Sequence, residues 1–398
     1  MLISVSCKNF KSVKDNETIS FDCINDVRLD DNRLVEINDR YKLIKSLAII
    51  GPNGAGKSTM ARVLEALKCI VTSEDGDEQK MLRKFFQGSF FGYGETKGMP
   101  SILSIDFVTE KDEIIRYRIM ASHERIYSET LYRTIDGMKK MIYSRKYIPD
   151  TGRYRCSFGR AYEGEERREL TRKLADGKTV LQRAARLGLD FFSDVYSWFD
   201  NVLDVKPIGF SSSSEKYFVR MMEEHPDWKK KIVDFLWSCD ITDVKDVMIR
   251  DGHALFIHTN ALDKRGQYFD GESFSLRRLV TIGASIFEAY VTNKTMVFDD
   301  FGMMLHPLVV QHCARLFEEC SKTKRSQLIV IDCNPSLLKD GLLRRDGIYF
   351  AEKTSEGCTR YYSLADYRYS LRRLDTPNDY LNGAFGALPL TNEFKFDK

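Results

Sequence analysis

"SLAIIGPNGAGKSTMARVLEALKCI", Ser46 to Ile70, decides how this chain is read. Leu47 to Ile50 form a short apolar run. Gly51-Pro52-Asn53-Gly54-Ala55-Gly56-Lys57-Ser58 follows and fits G-x-x-x-x-G-K-[ST] at every fixed position. Met60, Val63, Leu64, Leu67 and Ile70 then recur at helical spacing. The glycines are therefore expected between a buried strand and an amphipathic helix. In that setting backbone N–H groups turn inward around phosphate oxygens and the helix N-terminus adds partial positive charge. Lys57 would reach the β- and γ-phosphates, and the Ser58 hydroxyl would ligate Mg²⁺. Gly51, Asn53, Gly54, Ala55, Gly56, Lys57, Ser58 and Thr59 are the nucleotide-binding residues this implies.

The chain has 398 residues, enough for one large domain carrying an insertion or for several layers of core. A formal net charge of +3 excludes a global polycation, so any nucleic-acid contact must come from a local patch. Nine cysteines at irregular spacing and six histidines give no zinc framework. An odd cysteine count without a leader segment points to a reducing cytoplasm. The longest apolar runs are strand-length, which argues against a membrane span.

"MLISVSCKNFKSVKDNETISFD" reads as strand, turn, strand, with Phe10 and Phe21 inward. A polar stretch from Asn25 to Arg40 leads into the phosphate-loop strand, and the segment from Ser101 to Lys146 reads as successive strands with charged turns. From about residue 150 to 250 the pattern turns helical, as in "TVLQRAARLGLDFFSDVYSWFDNVL" and "DWKKKIVDFLWSCDI". Arg153 to Lys173 is arginine-rich and reads as a solvated charged helix, with a nucleic-acid or partner surface as the alternative. "SSSS", Ser211 to Ser214, reads as a loop. Strands return from "HALFIHTN" onward, and "KTMVFDDF" and "SQLIVIDCNP" are buried strands each preceded by a helix. The expected fold class is an α/β P-loop NTPase of the ABC and SMC-head type, with an antiparallel β layer and an inserted helical subdomain. Its parts would be an N-terminal ATPase lobe over 1–149, a helical insertion over 150–250 and a C-terminal ATPase lobe over 251–398. A hydrophobic strand ending in adjacent carboxylates is what a phosphate loop needs opposite it. Asp299 is expected to hold Mg²⁺ with Ser58, and Asp300 to polarise the attacking water alongside Lys57.

"NFKSVKD", "GPNGAGKS", "IYSETLYR", "VYSWFDNVL", "MVFDDFGMMLHP", "LLRRDGIYFAEKTSEGCTRYYSLADY" and "YLNGAFGALPLTNEF" together resemble a known group. It comprises the AAA-type, ABC-fold ATPases of bacterial phage-defence and abortive-infection systems, the RloA-like and AbiL-like proteins, related to the ATPase part of OLD nucleases and to SMC and RecF heads. The resemblance implies ATP and Mg²⁺ as ligands, a homodimer or higher homo-oligomer closed around nucleotide, and control of a partner effector such as a TOPRIM-type nuclease. It also implies that Ser273 and Ser275 form a signature edge reaching a partner's γ-phosphate, and that Cys333 stands at the switch position. No nuclease constellation is read in this chain, and too few residues follow Asp332 for an added TOPRIM domain.

Departures from the group bear on turnover. The group carries glutamate where this chain has Asp300, and losing one methylene retracts the carboxylate by about 1.5 Å. Ser275 replaces a glycine, and Cys333, a weak donor, replaces a histidine. Nucleotide binding with slow or absent hydrolysis is the expectation. Two other readings stay open: a DNA-engaging ATPase of the RecF and SMC kind, and a pseudo-ATPase scaffold. His306 is read as structural or as sensing nucleotide state, and His123, His225, His253, His258 and His312 as surface or core residues. The Q-loop glutamine is open between Gln79 and Gln87, and the absence of a suitably placed N-K-x-D favours ATP.

Overall fold

Alternate residues of the central strands enter two different cores. The computed structural model describes residues 1–24, 33–87, 96, 98–162, 164–172, 174–206, 212–259, 266–320, 325–367, 375–389 and 391. A six-stranded sheet runs in the order Leu203–Lys206, Thr295–Asp299, Gln327–Asp332, Ser46–Ile50, Ile348–Lys353, Thr359–Ser363. Its pairings are parallel except the last, which is antiparallel. Leu47, Ile49, Val297, Ile329 and Ile331 point to one core, and Ala48, Ile50, Met296, Phe298, Leu328 and Val330 to the other. A strand covered on both faces needs apolar residues at both parities, so these segments are continuous apolar runs.

On the first side lies a seven-stranded antiparallel sheet in the order Arg153–Phe158, Met138–Ile148, Ile126–Ile135, Ile114–Ala121, Ser101–Val108, Leu2–Lys8, Glu17–Ser20. Helix Thr59–Thr72 fills the space between the sheets, with Met60, Val63, Leu64, Leu67 and Ile70 buried. Each large aliphatic side chain so placed contributes roughly 1.5–3 kcal/mol. Phe10 and Phe21 join this core as the alternation required. On the second side, helices Ser212–Glu224, Trp228–Ser238, Phe274–Val291 and Pro307–Cys320 pack with a three-stranded sheet of Val244–Arg250, His253–His258 and Gln267–Tyr268.

Two local readings change. Arg153 to Lys173 is not one charged helix: Arg153–Phe158 is the edge strand of the antiparallel sheet, and only Arg167–Thr171 is helical. The cause is visible in the alternation, with Arg153, Arg155 and Ser157 exposed and Tyr154, Cys156 and Phe158 half-buried. The serine run enters a helix at Ser212, with Ser211 outside the described residues. The helical pattern after Thr179 is present as helices Val180–Arg186 and Asp190–Ser197, parted where Gly188 takes φ +71°, and a π-helical turn Trp198–Val202. Parts of "YLNGAFGALPLTNEF" and of Asn25 to Arg40 also lie outside the described residues.

Candidate functional site

The phosphate loop leaves strand Ser46–Ile50 at Gly51 and enters helix Thr59–Thr72 after Ser58. Two of its glycines are required by what surrounds them. A Cβ at Gly51 would stand 2.3 Å from the Ala351 carbonyl oxygen, so only glycine lets strand Ile348–Lys353 pass this close. Gly56 has φ +96°, and a Cβ there would lie 2.1 Å from Thr359 Oγ1. The underside of the loop is held from distant parts of the chain. Thr359 Oγ1 donates to the Ala55 carbonyl at 2.7 Å, and the Tyr361 hydroxyl donates to the Gly56 carbonyl at 2.6 Å. Ser12 Oγ lies 2.8 Å from Thr359 Oγ1 and 3.3 Å from Thr59 Oγ1. The Ala55 N–H bonds the Pro52 carbonyl at 3.2 Å, and the open side of the loop, where Asn53 and Gly54 are exposed, is the side from which a ligand would approach. Lys57 is buried and folds over the loop, its Nζ donating to the Pro52 carbonyl at 3.0 Å.

Ser58 Oγ donates to Asp299 Oδ1 at 2.9 Å across 241 residues of sequence. Asp299 ends strand Thr295–Asp299 and is 3 % exposed, and its second oxygen, Oδ2, has no hydrogen-bond partner. Burial pushes the Asp299 carboxyl above the usual carboxylate range against the Ser58 hydrogen bond, and the Asp300 charge adds to the shift. A buried carboxylate with one unmatched oxygen beside a serine hydroxyl fits a hard divalent cation that completes its shell with phosphate and water oxygens. Among the described residues no group of three or more His, Cys, Asp or Glu side chains could hold a metal by itself.

The turn after Asp299 is fixed by side chains that sequence reasoning passed over. Asp300 is half-buried with φ +52°, a left-handed conformation that a non-glycine residue keeps only when held. Arg278, 5 % exposed in helix Phe274–Val291, does the holding. Its Nη2 donates to the carbonyls of Asp299 at 3.1 Å and Asp300 at 2.7 Å, and its Nε to that of Phe301 at 3.4 Å. Burial pulls the proton affinity of Arg278 down, and the charges of Asp300, Asp332 and Asp299 oppose that. Asp332, ending strand Gln327–Asp332, accepts from the N–H groups of Gly302, Cys333 and Asn334, and so ties the Asp300 turn to the segment that begins at Cys333. An arginine inside the apolar stripe Leu276, Leu279, Val280, Ile282 was the signal available for Arg278; Ser12 lay in a quoted motif without a role.

The remaining expected residues do not converge on the loop through hydrogen bonds of their own. Ser273 caps its helix, accepting from the Leu276 N–H, and is exposed. Ser275 Oγ donates to the Met304 carbonyl at 2.7 Å. Cys333 is exposed beside Asp332. His306 is exposed and caps helix Pro307–Cys320, its Nδ1 accepting from the Leu308 N–H at 3.2 Å. Gln79 Nε2 donates to the His123 carbonyl at 2.6 Å, at an exposed position.

A phosphate loop on a parallel sheet, a facing carboxylate pair and an antiparallel layer over the loop helix define a P-loop ATPase of the ABC and SMC-head class. Within that class, residues 46–331 match the family described as "AAA domain, putative AbiEii toxin, Type IV TA system", and the chain belongs to that family. No curated protein matches it significantly. Among solved structures, an SMC head domain from Thermotoga maritima is similar at 15 % identity and a TM-score of 0.43, covering 91 % of this chain and 98 % of that one. An Smc head bound to the C-winged helix domain of ScpA gives 14 % identity and a TM-score of 0.49, with 91 % and 97 % covered. An Smc head with an extended coiled coil, bound to the C-terminal domain of ScpA derived from Pyrococcus furiosus, gives 12 % identity, a TM-score of 0.44 and 91 % and 96 % coverage. Among the described residues no helix is long and apolar enough to cross a membrane.

Proposed function

We propose that this chain binds ATP with Mg²⁺, pairs head to tail with a second copy around the nucleotide, turns ATP over slowly, and thereby controls a partner effector in anti-phage defence. The observation that supports the nucleotide reading most strongly is the Ser58 to Asp299 contact of 2.9 Å with Asp299 Oδ2 buried and unmatched. Ser58 and Asp299 would hold Mg²⁺, which supplies charge neutralisation between the phosphates. Lys57 exchanges the Pro52 carbonyl for phosphate oxygens, and the loop N–H groups orient the β-phosphate. Asp300 accepts the proton of the attacking water or orients it. Its short side chain on a backbone clamped by Arg278 cannot advance to make good the missing methylene, which supports slow turnover.

Ser273, Ser275 and Cys333 form the surface offered to the second copy. Their exposed or half-exposed positions, each on a rigid element end, suit contact with a nucleotide held by another protomer. Control of an effector, a nuclease of the TOPRIM type in the first instance, rests on the resemblance of the sequence motifs to phage-defence ATPases. A single-turnover measurement with radiolabelled ATP tests the reading. The wild-type chain is expected to bind ATP, to release phosphate slowly, and to gain rate about tenfold in Asp300→Glu, with Lys57→Ala abolishing binding. Ordinary ATPase turnover by the wild type, abolished by Lys57→Ala, overturns the slow-switch reading in favour of a motor. Failure of the wild type to bind ATP overturns both.

A further inference from the structure

The face of the antiparallel sheet turned away from the core is built like a surface for a polyanion. Read across the strands, one row runs Thr18, Ser6, Ser104, Arg118, Thr130, Ser144, Ser157. Small hydroxyl side chains thus run across the sheet, broken by a single arginine, with Thr130 and Ser144 buried in the floor of the face and the others exposed or half-exposed. The row beside it contains Met120, Ser128, Lys146 and Arg155. Arg118, Lys146 and Arg155 are exposed, and none of them is in an ion pair among the described residues. The face's carboxylate, Asp106, is already neutralised by Arg116, with two contacts of 2.6 Å, and by Lys139 at 3.5 Å.

Lys146 and Arg155 stand directly opposite each other on neighbouring strands. Like charges in that register repel, so folding alone gives no reason for the arrangement. An anion between them removes the repulsion. Arg118 lies two strands and two residues of register from Lys146, about 12 Å away at ordinary strand spacing, and these cations border a depression of about 770 Å³ that Tyr127 and Tyr147 also line.

We infer that this face docks the sugar-phosphate backbone of a nucleic acid. Backbone binding calls for separated cations with hydroxyl donors between them and few apolar pockets, as phosphate oxygens take most such contacts. Aromatic side chains beside the cations, Tyr127 and Tyr147 in the lining of the depression, suit the bases of a nucleic acid better than the carboxylates of an acidic protein segment. The chain's formal charge of only +3 concentrates the attraction here rather than over the whole surface. The inference does not depend on ATP turnover.

The test is fluorescence anisotropy of a labelled 30-base-pair duplex and of a single strand of equal length, titrated with the full chain at several salt concentrations. Wild type is expected to bind at low salt. The triple variant Arg118→Glu, Lys146→Glu, Arg155→Glu should lose at least tenfold in affinity, and its salt slope on duplex should fall by about 2.7. Lys146→Glu alone pairs with Arg155, leaves folding intact, and should lose part of the affinity. The double variant Arg118→Lys, Arg155→Lys should keep most of it. Binding of a fluorescent ATP analogue by each variant reports folding and separates failure here from failure of the nucleotide reading. No oligonucleotide binding by wild type, equal binding by the triple variant, or capture of polyglutamate in preference to either oligonucleotide overturns the inference.

Discussion

The phosphate loop and the proposed signature edge sit at opposite ends of a scale of preparation. Around the loop the groups that must be fixed are fixed from outside it: Thr359 and Tyr361 hold its carbonyls, Ser12 braces Thr359 and Thr59, and Ser58 is aligned on Asp299. At the signature edge the polar groups are turned onto their own neighbourhood. Ser273 caps its own helix and Ser275 bonds the Met304 carbonyl. The half proposed to receive nucleotide is assembled within one chain, whereas the half proposed to face a second copy is a surface. Electrostatic preorganisation of the first kind costs no rearrangement when ligand arrives, and a surface of the second kind would act only if a second copy presents it.

The strongest way to break this comparison is at Gly56. Gly56→Ala adds a methyl at φ +96° where Thr359 Oγ1 would be 2.1 Å away. Left-handed strain and overpacking together should cost about 3 kcal/mol, read by urea denaturation, and should remove ATP binding. A variant that folds normally and binds ATP would show that the underside braces are ornamental. Next comes Arg278→Met, which keeps the volume but strands the carbonyls of Asp299, Asp300 and Phe301. Destabilisation of about 2 kcal/mol is expected. Phosphate release should fall further while ATP affinity changes little, because the variant loosens the Asp300 turn and leaves the loop alone.

At the signature edge the effects are smaller. Ser275→Gly loses one hydrogen bond to Met304 and adds backbone freedom at a helix start, for about 1 kcal/mol. If that edge works as a partner-facing surface, the same variant should raise ATP-dependent dimer formation in analytical ultracentrifugation. Unchanged dimerisation would separate Ser275 from the interface.

Legibility in the sequence follows the same division. The loop, its strand and its helix were readable because their signals are local: apolar run, glycine spacing, helical period. The pairing of Ser58 with Asp299 was also readable, since Ser58 closes the phosphate-loop motif, Asp299 terminates a strand-like run and the chemistry of Mg²⁺ asks for both. Arg278, Asp332, Thr359 and Tyr361 were not, because each acts on backbone groups that only the fold brings near. Asp332 and Gly302 lie 30 residues apart, and Tyr361 and Gly56 lie 305 apart. Arg153 to Phe158 was misread for a different reason. Charge density drew the reading toward a solvated helix, while the period-two alternation that makes it a sheet edge is only six residues long.

The smallest expected effect concerns the approach to the signature helix. His258 Nδ1 lies 2.9 Å from Asp243 and Nε2 lies 2.8 Å from Glu272, the residue before Ser273. Partial burial works against the imidazolium, but the two carboxylates outweigh it and raise the proton affinity of His258 above its ordinary value. A raised folded-state value means that this bridge contributes in full at pH below the unfolded imidazole value, and that its contribution is lost as pH rises through the folded one. His258→Gln should therefore destabilise the chain more at pH 5.5 than at pH 8.5, by less than about 1 kcal/mol for so accessible a group. Because Glu272 would be freed in the variant, the start of the signature helix should loosen at low pH while the phosphate loop does not. Amide hydrogen exchange can resolve the two segments, with faster exchange expected at Leu276 and none at Thr59. Equal loosening of both would mean that the two halves of the site are mechanically one, against the contrast drawn from their hydrogen bonds.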